Sequence, residues 1–213
     1  MKSLKTIALV AGVLITGATI AQTNETDNRE RLQAGIKAGI NVANVYDSQG
    51  EDFDADPKVG FVGGGFLSIP IGRFFGVQPE LLYSQKGLTM NGSFLGIDYR
   101  VQRTLGYLDI PLYLQFKPVP ALTLLFGPQY SFLLHRRDKF SSGSYTNEQQ
   151  EDFENDNIRK NVFGVATGFD LTINRFVIGA RGAWDLQNNN GDGTSSDPRY
   201  KNVWFQLTGG FKF

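Results

Sequence analysis

Cysteine is absent from this chain of 213 residues, histidine occurs once and methionine twice. Without cysteine there is no disulfide, no thiolate nucleophile, no cysteine-ligated metal and no lipid-bearing cysteine of a lipoprotein. Neither sign of charge dominates, since 21 Lys and Arg balance 21 Asp and Glu. That balance excludes the strong basic field expected of a nucleic-acid partner. Long apolar runs are missing too, except Thr6–Ile20, which is short for a spanning helix and polar at its downstream flank. What the chain does have is glycine (25 residues) and phenylalanine (17), the usage of a β-rich protein. Its length suits one domain.

Lys2 and Lys5 precede the one apolar run, and Ala21 follows it with Thr19 at minus three. This charged, apolar, small-residue order predicts a cleavable signal peptide over 1–21. A short polar periplasmic leader, 22–33, then precedes a single domain, 34–213.

From Ala34 onward the residues alternate with period two, the signature of strands with one apolar and one polar face. The last stretch, Val203–Phe213, sets Val203, Phe205, Leu207, Gly209, Phe211 and Phe213 against Trp204, Gln206, Thr208, Gly210 and Lys212. Seven earlier runs behave alike: Ala34–Val45, Lys58–Pro70, Phe75–Lys86, Tyr99–Lys117, Ala121–His135, Asn161–Ile173 and Arg175–Leu186. Short turns at Gly72–Phe74, Pro118–Pro120 and Asn174 alternate with long polar connections at Tyr46–Pro57, Gly87–Asp98, Arg136–Lys160 and Gln187–Asn202. The expectation is an all-β fold: an eight-stranded antiparallel up-and-down transmembrane β-barrel. Both termini then lie in the periplasm and the four long loops outside the cell.

Period two alone does not say which face is wet, and a soluble barrel with an apolar interior shows the inverse pattern. Three features favour lipid outside. The polar face is rich in small residues, the apolar bands run about the ten residues a tilted strand needs to cross, and aromatics recur near strand ends. Phe205, Leu207, Phe211 and Phe213 thus read as the closing strand and its insertion signal. Pro79, Pro111 and Pro128 fall inside strand runs, where each removes a ladder donor, and call for bulges or breaks.

Lys37, Glu80, Asp109, Asp170, Arg181 and Asp185 all fall on polar faces and form a candidate lumen charge network. Enclosed charges must pair or be hydrated. Such a network serves as a salt-bridged plug or as a selectivity ring, and eight strands leave little free bore. Arg181 against Glu80 or Asp109 is the expected pair. His135, with Ser131, Ser141 and Ser142 nearby in sequence, could act as a base, yet no G-x-S-x-G motif accompanies it. The acids Asp47, Glu51, Asp52, Asp54 and Asp56 and the run Asn188–Asp192 lack the spacing of a calcium loop. Arg136, Arg137 and Lys139 are candidates for contact with lipopolysaccharide phosphates.

The stretches Gln78-Pro79-Glu80-Leu81-Leu82-Tyr83-Ser84-Gln85-Lys86-Gly87, Tyr107-Leu108-Asp109-Ile110-Pro111-Leu112, Phe126-Gly127-Pro128 and Leu207-Thr208-Gly209-Gly210-Phe211-Lys212-Phe213 resemble the PorT-like outer-membrane β-barrel family of Bacteroidota. That resemblance implies a small eight-stranded barrel broadly like the OmpA and OmpX transmembrane domains, and the expected state is a monomer. It carries no catalytic residues and no cofactor. The resulting expectation is a non-enzymatic outer-membrane protein serving envelope integrity, surface interaction or protein export. A small passive pore and a lipid-A-modifying enzyme using His135 are the alternatives. Its partners are outer-membrane lipid and lipopolysaccharide, the barrel-assembly machinery during insertion, and a surface or secretion-system partner, with no nucleic acid.

Overall fold

The computed structural model describes residues 27–46, 56–94, 97–142, 145–151, 160–187 and 201–213. The expected signal peptide, the acids Asp47, Glu51, Asp52 and Asp54 and the run Asn188–Asp192 lie outside these residues, as does the side chain of Asp56. The strands are β1 (Gln33–Tyr46), β2 (Asp56–Pro70), β3 (Phe75–Phe94), β4 (Ile97–Val119), β5 (Leu122–Ser142), β6 (Tyr145–Glu151), β7 (Asn161–Ile173), β8 (Phe176–Asp185) and β9 (Lys201–Lys212). One 3-10 turn, Asn28–Glu30, precedes them.

Eight strands close into a ring in the order β1-β2-β3-β4-β5-β7-β8-β9, every neighbouring pair antiparallel. Closure comes from β9 on β1, from Gly35↔Lys212 to Tyr46↔Lys201, and the Phe213 N–H donates to the Ala34 carbonyl at 2.9 Å. Within the ring each strand is paired on both sides, so most of its backbone groups are satisfied within the protein.

Side chains sort by parity. Ile36, Ile40, Phe61, Leu81, Leu112, Leu114, Phe126, Ile178, Phe205 and Leu207 are exposed, whereas Lys37, Asn41, Glu80, Asp109, Gln115, Asp170, Arg181, Gln206 and Thr208 are buried. The greasy face is therefore outside, a belt suited to lipid rather than water. At the end carrying the short turns it closes in aromatic contacts, Phe75 with Phe116 and Phe211 with both Phe176 and Phe213. Asn174 takes the β7–β8 turn with φ of 56°, a conformation Asn tolerates better than most residues.

Two of the long connections differ from expectation. Most of 87–98 and much of 136–160 is strand: β3 and β4 pair out to Phe94↔Ile97, and β4 and β5 out to Tyr99↔Ser142. β4 has 23 residues and β5 has 21, roughly twice the 9–11 a crossing strand needs, so both overrun the belt. There β5 leaves β7, whose pairing ends at Phe132↔Asn161, and takes β6 instead. β2 pairs with β3 only as far as Asp56↔Thr89. A four-stranded sheet, β3-β4-β5-β6, thus stands beyond the ring at the long-loop end, and β6 is its outer edge among the described residues.

The three prolines are accommodated by breaks rather than bulges. Pairing skips equally on both strands between Phe66↔Glu80 and Ile69↔Val77, between Pro79↔Leu112 and Leu82↔Asp109, and between Pro111↔Gln129 and Leu114↔Phe126. Each break holds one proline, and the three breaks adjoin across successive strands. A missing N–H thus interrupts the ladder locally while the register survives.

The interior is more apolar than the alternation implies. Tyr107, Tyr113, Leu82, Leu105, Leu125, Val62, Phe66 and Trp204 are all buried inside. Ala43, Tyr113, Leu125, Ala166, Ala183 and Trp204 pack into one cluster. Side chains fill the bore, as the diameter of eight strands dictates.

Candidate functional site

The middle of the bore holds a cross-strand charge network. Lys37 of β1 forms an ion pair with Glu80 of β3. The other oxygen of Glu80 accepts from Gln78 Nε2 at 2.7 Å and lies 3.7 Å from the Arg181 guanidinium of β8. Arg181 donates to Asp170 Oδ1 of β7 at 2.7 Å and to the Phe169 carbonyl at 2.7 Å, and lies 5.4 Å from the centroid of the Tyr113 ring. Four strands are tied together across the lumen by charges at most 6% exposed. In a low dielectric such pairs are strong, and losing one member leaves the other uncompensated.

Nearer the long-loop end, Lys86 of β3 donates to Asp109 Oδ1 at 2.9 Å and Ser131 Oγ at 3.3 Å. Its ammonium lies 3.6 Å from the Trp204 ring centroid and 4.7 Å from that of Tyr107. Asp109 therefore pairs with Lys86, and Arg181 with Asp170 and Glu80. Asp185 accepts from Asn202 Nδ2 at 2.6 Å, while its Oδ1 has no hydrogen-bond partner among the described residues. Asn41 bridges Ser84 Oγ (2.7 Å) and Gln206 Nε2 (3.1 Å). Lys86 shares the parity of Glu80 and Ser84, so extending the β3 alternation by two residues finds it.

At the short-turn mouth the polar groups are cationic. Lys117 donates to Ser68 Oγ at 3.2 Å and to the Arg29 carbonyl at 3.3 Å, and Lys212 donates to Thr172 Oγ1 at 3.1 Å. Arg29, in the leader before β1, is 7% exposed and reaches the Lys117 and Pro118 carbonyls at 3.3 and 3.2 Å. Asp27 grips the same guanidinium through both oxygens, at 2.9 and 2.7 Å, and Arg73 of the β2–β3 turn lies 3.3 Å away. The Phe74 ring faces both arginines. Hydrogen bonds from Arg29 hold the Asp27 carboxyl down at about 2. The leader is thus docked on the mouth, which nothing in its aperiodic sequence announces.

On the outer face His135 lies over Gly106, where a Cβ would collide with the imidazole. Its Nε2 is 3.3 Å from Tyr83 Oη, and the two rings stack at 6.1 Å. Gln85 Nε2 donates to that Tyr83 oxygen at 3.4 Å. Ser131, by contrast, points inside to Lys86 and Gln129. No serine or carboxylate bonds to His135 among the described residues. Arg136 pairs with Asp138, which also receives Arg103 Nε at 3.0 Å, whereas Arg137 and Lys139 are exposed. Phe205, Leu207 and Phe213 are exposed on the closing strand, and Phe211 packs between Phe176 and Phe213.

The arrangement is chemically conservative. Most of its ionised groups are matched by opposite charge, and no group of three His, Asp or Glu side chains gathers as a metal site among the described residues.

No curated protein matches the sequence significantly. Among solved structures, Neisserial surface protein A (NspA) is 13% identical, the match covering 84% of this chain and 97% of that one with a TM-score of 0.50. The attachment invasion locus protein Ail of Yersinia pestis is 15% identical over 85% of this chain and 98% of its own, with a TM-score of 0.48. OprG from Pseudomonas aeruginosa is 11% identical over 89% and 99%, with a TM-score of 0.43. At such identity the likeness to NspA speaks for the fold alone. Residues 20–190, a span containing β1 to β8 whole, match the outer membrane protein β-barrel domain. With its closed ring, greasy exterior and charge-paired bore, the chain belongs to the outer membrane protein β-barrel domain family.

Proposed function

We propose that this outer-membrane protein is non-enzymatic and works through its protruding end rather than its lumen. The observation that carries this reading is the β3-β4-β5-β6 sheet beyond the ring, whose β6 edge has no partner strand among the described residues. An unpaired edge offers backbone N–H and C=O groups to an extended segment of another protein. The long-loop end faces outward and both termini face the periplasm, which suits a role in surface interaction or envelope integrity. Assistance in protein export stays within the same reading. Arg137 and Lys139, exposed where β5 overruns the belt, supply charge for lipopolysaccharide phosphates. Insertion proceeds through the barrel-assembly machinery, with the apolar face of β9 as its signal.

The test replaces residues 137–159 by a short glycine turn and asks whether this variant complements a deletion strain. The expectation is a barrel that still inserts but reproduces the deletion phenotype in surface proteome, detergent sensitivity or secretion. Full complementation by the trimmed protein would overturn the reading.

The pore alternative is opposed by the pairs that fill the bore, and planar-bilayer recordings should show no stepwise conductance. The enzymatic alternative rests on His135, whose partner is Tyr83. His135→Ala should leave the lipid-A profile of the cell unchanged.

A further inference from the structure

The charges buried in the bore are unevenly placed. Its short-turn half carries Lys37, Arg181, Lys117 and Lys212 against Glu80 and Asp170, an excess of two positive charges. Toward the long-loop end Lys86 faces Asp109 and Asp185, an excess of one negative charge. Within the short-turn half the excess is localised. Lys37 is neutralised by Glu80, and Arg181 by Asp170. Lys117 and Lys212 have no carboxylate within ion-pair distance among the described residues. Their hydrogen-bond partners are neutral oxygens: Ser68 Oγ, the Arg29 carbonyl and Thr172 Oγ1. Both lysines are nine-tenths or more buried and enter the same mouth from opposite walls of the ring, where β4 and β9 end; Asp170 attracts Lys212 but is already bonded to Arg181. In the leader Asp27 is taken by Arg29 and Arg73, and Glu30 is exposed to solvent rather than enclosed with the two lysines.

Two enclosed ammonium groups with no carboxylate of their own in contact are costly, and a mobile anion removes that cost. Lysine suits a phosphate as a compact, strongly hydrated point charge with three donors. The hydroxyls of Ser68 and Thr172 already hold the two amines and can themselves bond oxyanion oxygens. We infer that the short-turn mouth is a binding site for a small doubly charged oxyanion of the phosphate class, held between Lys117 and Lys212 beneath the leader. The excess of two positive charges matches such a dianion. The ligand would be free phosphate or the phosphate of a small phosphorylated solute, entering from the short-turn side.

The experiment titrates the refolded full chain in detergent micelles with inorganic phosphate, and separately with glycerol 3-phosphate, at constant ionic strength in chloride. Calorimetry and phosphorus NMR line broadening read binding. The expected result is saturable phosphate binding that Lys117→Met and Lys212→Met each weaken at least tenfold. Lys117→Arg should retain it, and Lys160→Met, exposed at the far end, should leave it unchanged. Binding of inorganic phosphate alone identifies the free ion as the ligand; binding of both probes identifies a site that admits a phosphorylated solute. Heat-modifiable gel mobility confirms that each variant is folded. No saturable binding of either probe, or binding unchanged in both methionine variants, would overturn the inference.

Discussion

Lys86 sets its ammonium 3.6 Å from the ring centroid of Trp204, with the Asp109 carboxylate 2.9 Å away on the β4 strand. Each side chain of the ion pair is 1% exposed, so neither charge has water to fall back on. Removing one partner leaves the other buried and unmatched, a loss of about 3–5 kcal/mol. Lys86→Met should therefore destabilise the barrel by that order, and so should Asp109→Asn. The double variant should cost clearly less than the sum, since an apolar or neutral pair needs no counter-charge. Urea unfolding in detergent, followed by tryptophan fluorescence, checks this. Additive losses would mean that the pair is not coupled.

The two carboxylates that meet Arg181 are not equivalent. Asp170 is at 2.7 Å and bonded, whereas Glu80 is at 3.7 Å and already committed to Lys37 and Gln78. Asp170→Asn should strand Arg181, and Glu80→Gln should strand Lys37. Restoring neutrality by pairing Glu80→Gln with Lys37→Met should recover most of the loss, while pairing it with Arg181→Met should not. Unfolding midpoints of the four variants decide the assignment.

How much of this was legible in the residues follows from one rule and its limits. Period two places Lys37, Glu80, Asp109, Asp170, Arg181 and Asp185 on interior faces, because a strand cannot turn a side chain over without slipping register. It does not say which charge meets which. Partnership depends on stagger between strands distant in sequence, and so Asp109 goes to Lys86 rather than Arg181. Alternation also treats an inward residue as polar, and this hides Trp204, Tyr113 and Leu125, which fill space between the charges. Strand ends are the weakest reading. Residues 136–141 are mostly polar and none of them is buried, and a polar strand with no buried face resembles a loop. Arg29 has no periodic neighbour at all, and only the folded mouth gives it a place.

Arg29 and Asp27 make the leader's attachment sensitive to acid. The Asp27 carboxyl titrates at about 2 when docked, below its ordinary 3.8, because Arg29 bonds the ionised form. A depressed value means that the contribution is complete above about pH 4 and is lost as the pH falls through about 2. Carbon NMR of the Asp27 carboxyl should give a midpoint near 2, moving back toward 3.8 in Arg29→Gln. At neutral pH Asp27→Asn should expose the leader, read as faster tryptic cleavage after Arg29 and Arg31. An unshifted midpoint in the Arg29 variant would show that the leader is held by something else.

Leu112 tests the lipid face itself. It is 51% exposed in the middle of a strand whose flanking neighbours Pro111 and Tyr113 point inside. An arginine there must bring its charge into hydrocarbon, at about 2–4 kcal/mol near the bilayer midplane. Val119 is also exposed but closes β4 at the short turn, where a charge can reach water and costs about 0–1 kcal/mol. Leu112→Arg should therefore lower stability in lipid vesicles and reduce insertion yield, whereas Val119→Arg should leave both close to the parent. In detergent micelles the gap should narrow, because a micelle deforms around an arginine more readily than a bilayer does. Equal losses from both substitutions in vesicles would mean that the greasy belt does not mark membrane depth along β4.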